Sequence, residues 1–510
     1  MAHCSIRSTC MGVALGVLAG VITTSPAVAQ DPTPTPDPDN PFGVIEAYDA
    51  PEAASRLGAS WTRAKFHWGL IQPDSADQWI EPDLSDAELA AELSAGREVV
   101  GLLIGLPEWA QDPVGLPDGL YTDINDPSNV WAAFVRTVVG RYRGQIDHWI
   151  VWNEPDIWDA QHPAFTWPGT ERDFARLMEV SYLTAHKVNP DVVIHLAAFT
   201  HWWDALYGRE LYFERLMRVL ASYPGASEHG YFYDIATMHV YFTATSPYDL
   251  LEQYRAIQES YGIEKPFWLV ETNAAPSTDP VRPVEAPTFD ISMLEQAAYM
   301  PQAFALARAA GAQRVGVFKM VDTPGDLLAN PEPFGLVRAD GTLRPVFRTT
   351  QVAINQLAGS AEVLWTERGA VSQVLVMHAN EVTRIIWNRL PEPTSVEVPA
   401  LGAEAQLVDM WGNMKVLVAS GGRYTLALPA GECQETIEDY CMIGGPPIYL
   451  VEGAPAKPDG LWLEVAPYER PSQPVRLSPV AWGLWGAAAV CLTLAGGAGG
   501  WLLAAGRSRQ

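Results

Sequence analysis

The stretch that decides the fold is Ile150-Val151-Trp152-Asn153-Glu154-Pro155-Asp156. The apolar run from Trp149 to Trp152 reads as a buried parallel strand. Pro155 ends it, because proline supplies no N–H for a ladder. Asn153 and Glu154 therefore stand at the carboxyl end of a strand, where α/β barrels carry their chemistry. A second stretch, Pro266-Phe267-Trp268-Leu269-Val270-Glu271-Thr272-Asn273, repeats the arrangement with Glu271 at its end. Outward from these two, short apolar runs alternate with helical patterns. The expected strands are Gly43–Glu46, Trp61–Phe66, Val99–Leu106, His148–Trp152, Val192–Ala198, Ile235–Tyr241, Phe267–Glu271 and Arg314–Met320. Eight strand–helix alternations predict an α/β chain built on one (β/α)8 TIM barrel over residues 42–358.

The helical segments carry their own signals. After Ser128, Trp131, Phe134, Val135, Val138, Val139 and Tyr142 fall on one face of a helix. Thr170 is an N-cap with Asp173 three residues on, followed by Phe174, Leu177 and Met178. Met293–Ala310 and Pro345–Leu357 read as the last two barrel helices, with Asp340-Gly341 a hairpin turn before the second. Near Gly359 the pattern changes to short strands without helices: Val371–Met377, Thr383–Trp387, Ser395–Val398, Gln406–Asp409 and Tyr424–Leu428, with Ile448–Val451 returning to them. This predicts an antiparallel β-sandwich over 359–453.

The ends read differently. Residues 1–29 have the form of a signal peptide, with Arg7, an apolar core from Met11 to Ile22, and Ala27-Val28-Ala29 as the cleavage pattern. Residues 30–41 form a Pro/Asp-rich linker and 454–480 a Pro-rich stalk. The uncharged run within 481–506 is long enough for a C-terminal transmembrane helix. Arg507 and Arg509 follow in 507–510, a short cytoplasmic tail by the preference of positive residues for that side. The expectation is a single-pass membrane protein, anchored in the lipid bilayer by its tail, with its barrel outside the cell. Cys433 and Cys441 are the two cysteines left outside signal and span, and in an oxidising compartment they pair as a disulfide. A formal charge of −27 argues against nucleic-acid binding. No Cys/His spacing supports a metal site, and no cofactor is expected.

Two strand-end carboxylates on one barrel form the pair that cleaves glycosidic bonds. One donates a proton to the leaving oxygen while the other supports the oxocarbenium-like centre. An ionised Glu271 keeps Glu154 protonated, since two like charges at that range resist joint ionisation. Once Glu271 carries the sugar its charge is gone, and Glu154 ionises to serve as base for water.

Trp152-Asn153-Glu154-Pro155 resembles the strand-four signature of the clan A retaining glycoside hydrolases. Further landmarks appear in order: Arg63 in strand two, His239-x-Tyr241 ending strand six, and Glu271 ending strand seven. The resemblance covers about 42–358 and lies nearest families thirty-nine (β-xylosidases and iduronidases) and five. It implies a retaining hydrolase of β-linked oligo- or polysaccharides, with Glu154 as acid/base and Glu271 as nucleophile. It further implies that Asn153 meets the sugar 2-hydroxyl, Tyr241 orients Glu271 and Arg63 keeps Glu271 ionised, with His239 alongside. Aromatic rings that stack on pyranose faces follow the strands: Trp109 after strand three, Trp158 and Trp167 after strand four, Trp202 and Trp203 after strand five, Phe242 after strand six. Glu108 and His201 are candidate partners for hydroxyls. One departure stands out. These families place a Trp at the end of strand eight, where this chain has Phe318 and Lys319, and Lys319 would pair with an acidic sugar or a neighbouring carboxylate. A carbohydrate-binding protein that lost turnover and a transglycosylase are the rival readings of the same residues.

Overall fold

The eight apolar runs pair side by side in chain order, and the eighth returns to the first. The computed structural model describes residues 39–162 and 164–453. Its barrel strands are β1 (Phe42–Val44), β2 (Trp61–His67), β3 (Glu98–Ile104), β4 (His148–Val151), β5 (Val193–Phe199), β6 (Ile235–Tyr241), β7 (Phe267–Asn273) and β8 (Arg314–Val317). All pairs are parallel, and β1 closes on β8 through Phe42–Val315, Gly43–Gly316 and Val44–Val317. The connecting helices are α1 (Pro51–Leu57), α2 (Trp68–Ile71), α3 (Asp86–Ser94), α4 (Val130–Arg141), α5 (Glu171–Val188), α6 (Trp202–Leu206), α7 (Tyr212–Ser222), α8 (Ser246–Ser260), α9 (Met293–Ala309), α10 (Pro324–Ala329) and α11 (Pro345–Leu357).

Local chemistry accounts for these elements. The apolar face expected for α4 is buried from Trp131 to Val139, and Thr170 and Asp173 form a reciprocal capping box at the start of α5. Four expected strands run past their ladders, the first because β1 stops at Val44 and Glu46 is left-handed at φ 58°. β3 stops at Ile104, because Gly105 turns into the left-handed region at φ 80°. β4 stops at Val151, because Trp152 is left-handed at φ 72°. β8 stops at Val317, before Phe318, Lys319 and Met320. Inside the barrel, Trp61 lies across two glycines. A Cβ on Gly43 would come within 2.4 Å of its indole, and one on Gly316 within 2.7 Å. The two glycines make the room that a tryptophan needs in a filled barrel.

The loops at the carboxyl ends of the last two strands are fastened to the start of α11. Arg344 Nε donates to Asp279 Oδ2 at 2.8 Å, and its Nη1 lies 2.5 Å from Asp322 Oδ2 and from the Gly335 carbonyl. Arg338 shares Asp279 at 2.8 Å. Arg344→Met should leave Asp322 without its cation and cost about 3–5 kcal/mol, as breaking a buried pair does. The measurement is the urea midpoint of unfolding. A change of under about 0.5 kcal/mol would mean that the pair contributes nothing beyond surface level.

The C-terminal part is antiparallel. Its strands are β9 (Glu362–Arg368), β10 (Val371–Met377), β11 (Glu381–Asn388), β12 (Thr394–Pro399), β13 (Glu404–Asp409), β14 (Met414–Val418), β15 (Arg423–Leu428), β16 (Thr436–Ile437), β17 (Tyr440–Cys441) and β18 (Ile448–Gly453). Six form a sheet in the order β14-β13-β18-β11-β10-β9, and β12 pairs with β15. Ile386, Val398, Tyr424, Leu426 and Leu450 share one buried cluster between the two sheets, which is the expected sandwich. Cys433 and Cys441 are joined by a disulfide beside the β16–β17 hairpin. This hairpin reaches the barrel, where Gln434 N donates to Glu295 Oε1 on α9 and Asp290 N donates to Glu435 Oε1. The Gln302 amide of α9 donates to the carbonyls of Gly444 and Gly445.

Among the described residues, no helix is long and apolar enough to cross a membrane. The expected signal peptide 1–29, most of the linker 30–41, the stalk 454–480, the transmembrane helix 481–506 and the tail 507–510 lie outside the described residues.

Candidate active site

At the end of β4 the backbone adopts an unfavourable shape on both sides of Asn153. Trp152 has φ 72° and Glu154 φ 47°. Left-handed conformations at such residues cost on the order of 1–3 kcal/mol each and persist only where neighbours impose them. Here Trp152 N donates to Leu103 O, and Glu154 N donates to Ala198 O. The Trp152 indole donates to Thr166 Oγ1, which in turn donates to Asn153 O. The tryptophan is thus buried between Trp131 and Trp167, and the distortion delivers Asn153 and Glu154 into the barrel mouth.

Three of the expected residues converge on the two glutamates. Arg63 Nη2 lies 2.5 Å from Glu271 Oε1. Tyr241 Oη donates to Glu271 Oε2. His239 Nδ1 is 2.7 Å from Glu154 Oε1, and its Nε2 is 3.4 Å from Glu271 Oε1 without hydrogen-bond alignment. A carboxylate oxygen of each glutamate and a ring nitrogen of His239 all lie within 4.8 Å of one another. An oxygen of each carboxyl within 4.8 Å of the other is closer than the 6.5 Å or more that inverting glycosidases leave between the two groups for a water.

The environments drive the two carboxyls apart. Burial pushes Glu154 up, and the charge on Glu271 adds to it, against the contrary pull of His239. Burial pushes Glu271 up as well, but Arg63, His239 and the Tyr241 hydroxyl together outweigh it and hold the carboxyl below its ordinary range. Arg63 is held in its charged form against burial by Glu271. The result is one carboxyl pushed towards its protonated form beside one held towards its ionised form. The trio of Glu154, His239 and Glu271 is also compact enough to hold a cation. However, Arg63 and Tyr241 already engage both oxygens of Glu271, and a metal ion there would face a guanidinium. The donor set does not fit a metal centre.

Several buried polar atoms at this mouth have no protein partner: Arg63 Nε and Nη1, Asn153 Oδ1, Glu154 Oε2 and His67 Nδ1. Buried polar groups are otherwise almost always paired, so these are atoms that a bound polyhydroxyl compound can satisfy. His67, at the end of β2, carried no signal in the sequence. Burial, with Lys65 adding to it, lowers its pKa to about 4 and keeps its ring neutral. Gly105 makes room for this ring, since a Cβ there would lie 2.4 Å from it.

The strand-eight departure has a clear outcome. Lys319 is buried and pairs with Glu46 and with Asp326, the latter at 2.7 Å. Of the two partners considered for it, the neighbouring carboxylate is the one present. Glu46, in the left-handed region after β1, also meets Lys65 at 3.3 Å. Burial raises the Glu46 carboxyl, but the two lysines outweigh this and hold it well below its usual range. Phe318 is buried, edge-on to Tyr241 and Phe334.

The aromatics divide into two sets. Trp167, Trp202, Trp203 and Phe242 are buried, and Trp109 packs edge-on against Trp68 and donates to Gln72 O. Their rings are taken up by packing between loops. Trp158 alone of the set is exposed. His201 is half-buried, with its pKa lowered to about 3 by desolvation, and Glu108 is exposed.

No protein-family model and no curated protein matches this chain. Solved structures do. A family 39 glycoside hydrolase from Bacteroides cellulosilyticus aligns with TM-score 0.58 and 17% identity, over 81% of each chain. A monomeric β-xylosidase from Caulobacter crescentus aligns with TM-score 0.53 and 14% identity, over 82% of this chain and 97% of the other. A family 30 endoxylanase from Clostridium papyrosolvens aligns with TM-score 0.51 and 14% identity, over 82% and 98%. The chain has the fold of these glycoside hydrolases. The alignments extend past the barrel into the β domain, so the likeness covers both parts of the described chain.

Proposed function

We propose that this protein is a retaining glycoside hydrolase acting on β-linked glycans, with Glu271 as nucleophile and Glu154 as acid/base. The observation that carries the reading is the pair itself: two buried glutamates with oxygens within 4.8 Å, one held ionised by Arg63 and Tyr241 and one pushed towards its protonated form. Glu271 attacks the anomeric carbon while Glu154 protonates the leaving oxygen. A sugar ester on Glu271 results, and water activated by Glu154 then hydrolyses it. Asn153 Oδ1 and the open nitrogens of Arg63 are placed to accept and donate hydrogen bonds to sugar hydroxyls. The xylosidase and xylanase named among the structural neighbours make xylose-based glycans the first substrates to try. Because the charge of Lys319 is already balanced by Glu46 and Asp326, uncharged sugars are favoured over uronic acids.

Proton NMR of the first product should show the β-anomer before mutarotation. The α-anomer would mean direct attack by water and would remove Glu271 from the nucleophile's role. The location is part of the same proposal: residues 1–29 and 481–506 direct the barrel outside the cell and tether it to the membrane. Recovery of the full-length chain in the soluble fraction after carbonate washing of membranes would contradict the tether.

A further inference from the structure

Two residues past Glu154 lies a third buried carboxyl, one that the double displacement does not use. Asp156 is 1% exposed. Its Oδ2 accepts from Thr200 N, Thr200 Oγ1 and His201 N at 2.8, 2.7 and 2.9 Å. Its Oδ1 is buried and has no protein partner. The same short stretch also holds the acid/base: Glu154 N donates to Ala198 O at 3.0 Å, and Asn153 bridges to Ala198. Ala198 to His201 thus fixes both carboxyls against the end of β5. His201 has φ 56° there, a shape that a residue keeps only where neighbours impose it.

A clasp alone does not need a charge. An asparagine would offer the same kind of acceptor to these donors without bringing an ionisable group into the interior, where charge is costly. Nor is the charge of Asp156 neutralised. The arginines of this region, Arg209 and Arg215, pair with buried Asp204 at 3.6 and 3.5 Å and not with Asp156. Burial keeps the phenols of Tyr212 on α7 and Tyr254 on α8 neutral, and desolvation keeps the His201 ring neutral. Burial pushes the Asp156 carboxyl up to about 7, and the charges on Asp204 and Glu154 add to this against the hydrogen bonds from Thr200. Repulsion between two charges is mutual, so an ionised Asp156 raises Glu154 as much as Glu154 raises Asp156.

We propose that Asp156 is a positioning residue for proton delivery, its buried charge behind the acid/base holding the proton on Glu154 until the leaving oxygen takes it. This rests on the hydrolase reading above. Asp156 acts only through Glu154 and takes no part in bond cleavage.

The test compares the pH dependence of kcat/KM on xylotriose and cellotriose for the full-length wild type, Asp156→Asn and Asp156→Ala. In Asp156→Asn the alkaline limb, set by Glu154, should move down by about 0.5–1 pH unit, and the acidic limb should move less. Asp156→Ala also strips Thr200 and His201 of their acceptor. Its urea midpoint should fall, yet its alkaline limb should move as far as that of Asp156→Asn. A uniform loss of rate with the alkaline limb in place, or a limb that moves in Asp156→Ala alone, would overturn the proposal and leave Asp156 a clasp. Difference infrared titration of the protonated carboxyl band needs no turnover and separates this from the hydrolase reading. Wild type against Glu154→Gln shows Glu154 titrating beside Asp156, and Asp156→Asn against the double variant shows it without that neighbour. If no substrate is turned over but the second midpoint lies lower by the same interval, hydrolysis is wrong and the coupling stands. If the two midpoints coincide, the coupling is wrong whether or not substrates are cleaved.

Discussion

Glu271→Gln should remove turnover of β-glycosides by at least about 10⁴-fold, the upper end of what a single acid–base group contributes. Glutamine keeps the shape and the Tyr241 contact but cannot form a stable ester with the anomeric carbon. Glu154→Gln should behave differently, and the contrast is the stronger test. It should cost about 10²–10⁴-fold on glycosides with poor leaving groups. It should cost far less on dinitrophenyl glycosides, whose leaving oxygen needs no proton. With such a substrate, added azide should take the place of the missing base and yield a β-glycosyl azide from a glycosyl-enzyme that forms on Glu271. If both variants lose activity equally on every leaving group, and azide restores neither, the assignment of roles fails. An α-azide from Glu154→Gln, with a β-azide from Glu271→Gln, would exchange the two roles.

The second large effect concerns Arg63. The sign of the pH dependence follows from the two carboxyls. Glu271 must be ionised, so activity rises as pH climbs through its lowered pKa. Glu154 must be protonated, so activity falls as pH climbs through its raised pKa. The profile is a bell whose width is the separation of the two. In Arg63→Met the burial of Glu271 is no longer opposed by a guanidinium 2.5 Å away. The acidic limb should move up by about 1–3 pH units, the usual influence of an adjacent arginine on a carboxylate. The bell narrows and its maximum drops, while Arg63→Lys restores part of the width. A loss of rate with the acidic limb unmoved would mean that Arg63 holds substrate and does not set the charge of Glu271.

Much of this was legible in the chain, and the reasons are physical. A parallel strand covered on both faces must be apolar along its length, so all eight barrel strands could be located, and Ile235–Tyr241 was placed to the residue. Glu154, Glu271, His239 and Tyr241 sit at or near the carboxyl ends of their strands and converge because a barrel points those ends at one mouth, while Arg63 reaches Glu271 from within β2. What could not be read followed from missing patterns. β14 is exposed along nearly its whole length, so it shows no alternation of apolar and polar residues. β9 has charges at both ends and mostly half-buried positions. His67 and Glu46 are single residues whose part in the site depends on neighbours brought from other strands. The aromatics followed the strands as expected, but a sequence does not say which rings stay wet. Only its exposure to water separates Trp158 from Trp167 and Trp202.

The amide of Gln302, reaching from α9 to the backbone of Gly444 and Gly445, has a bearing on engineering. Apolar side chains of both parts, such as Phe304, Trp387 and Tyr449, belong to one continuous core. The β portion is therefore a wall of the barrel rather than a passenger, and the two parts share one buried core. Cutting the barrel free of the β portion would expose the apolar side chains that the two parts now cover together.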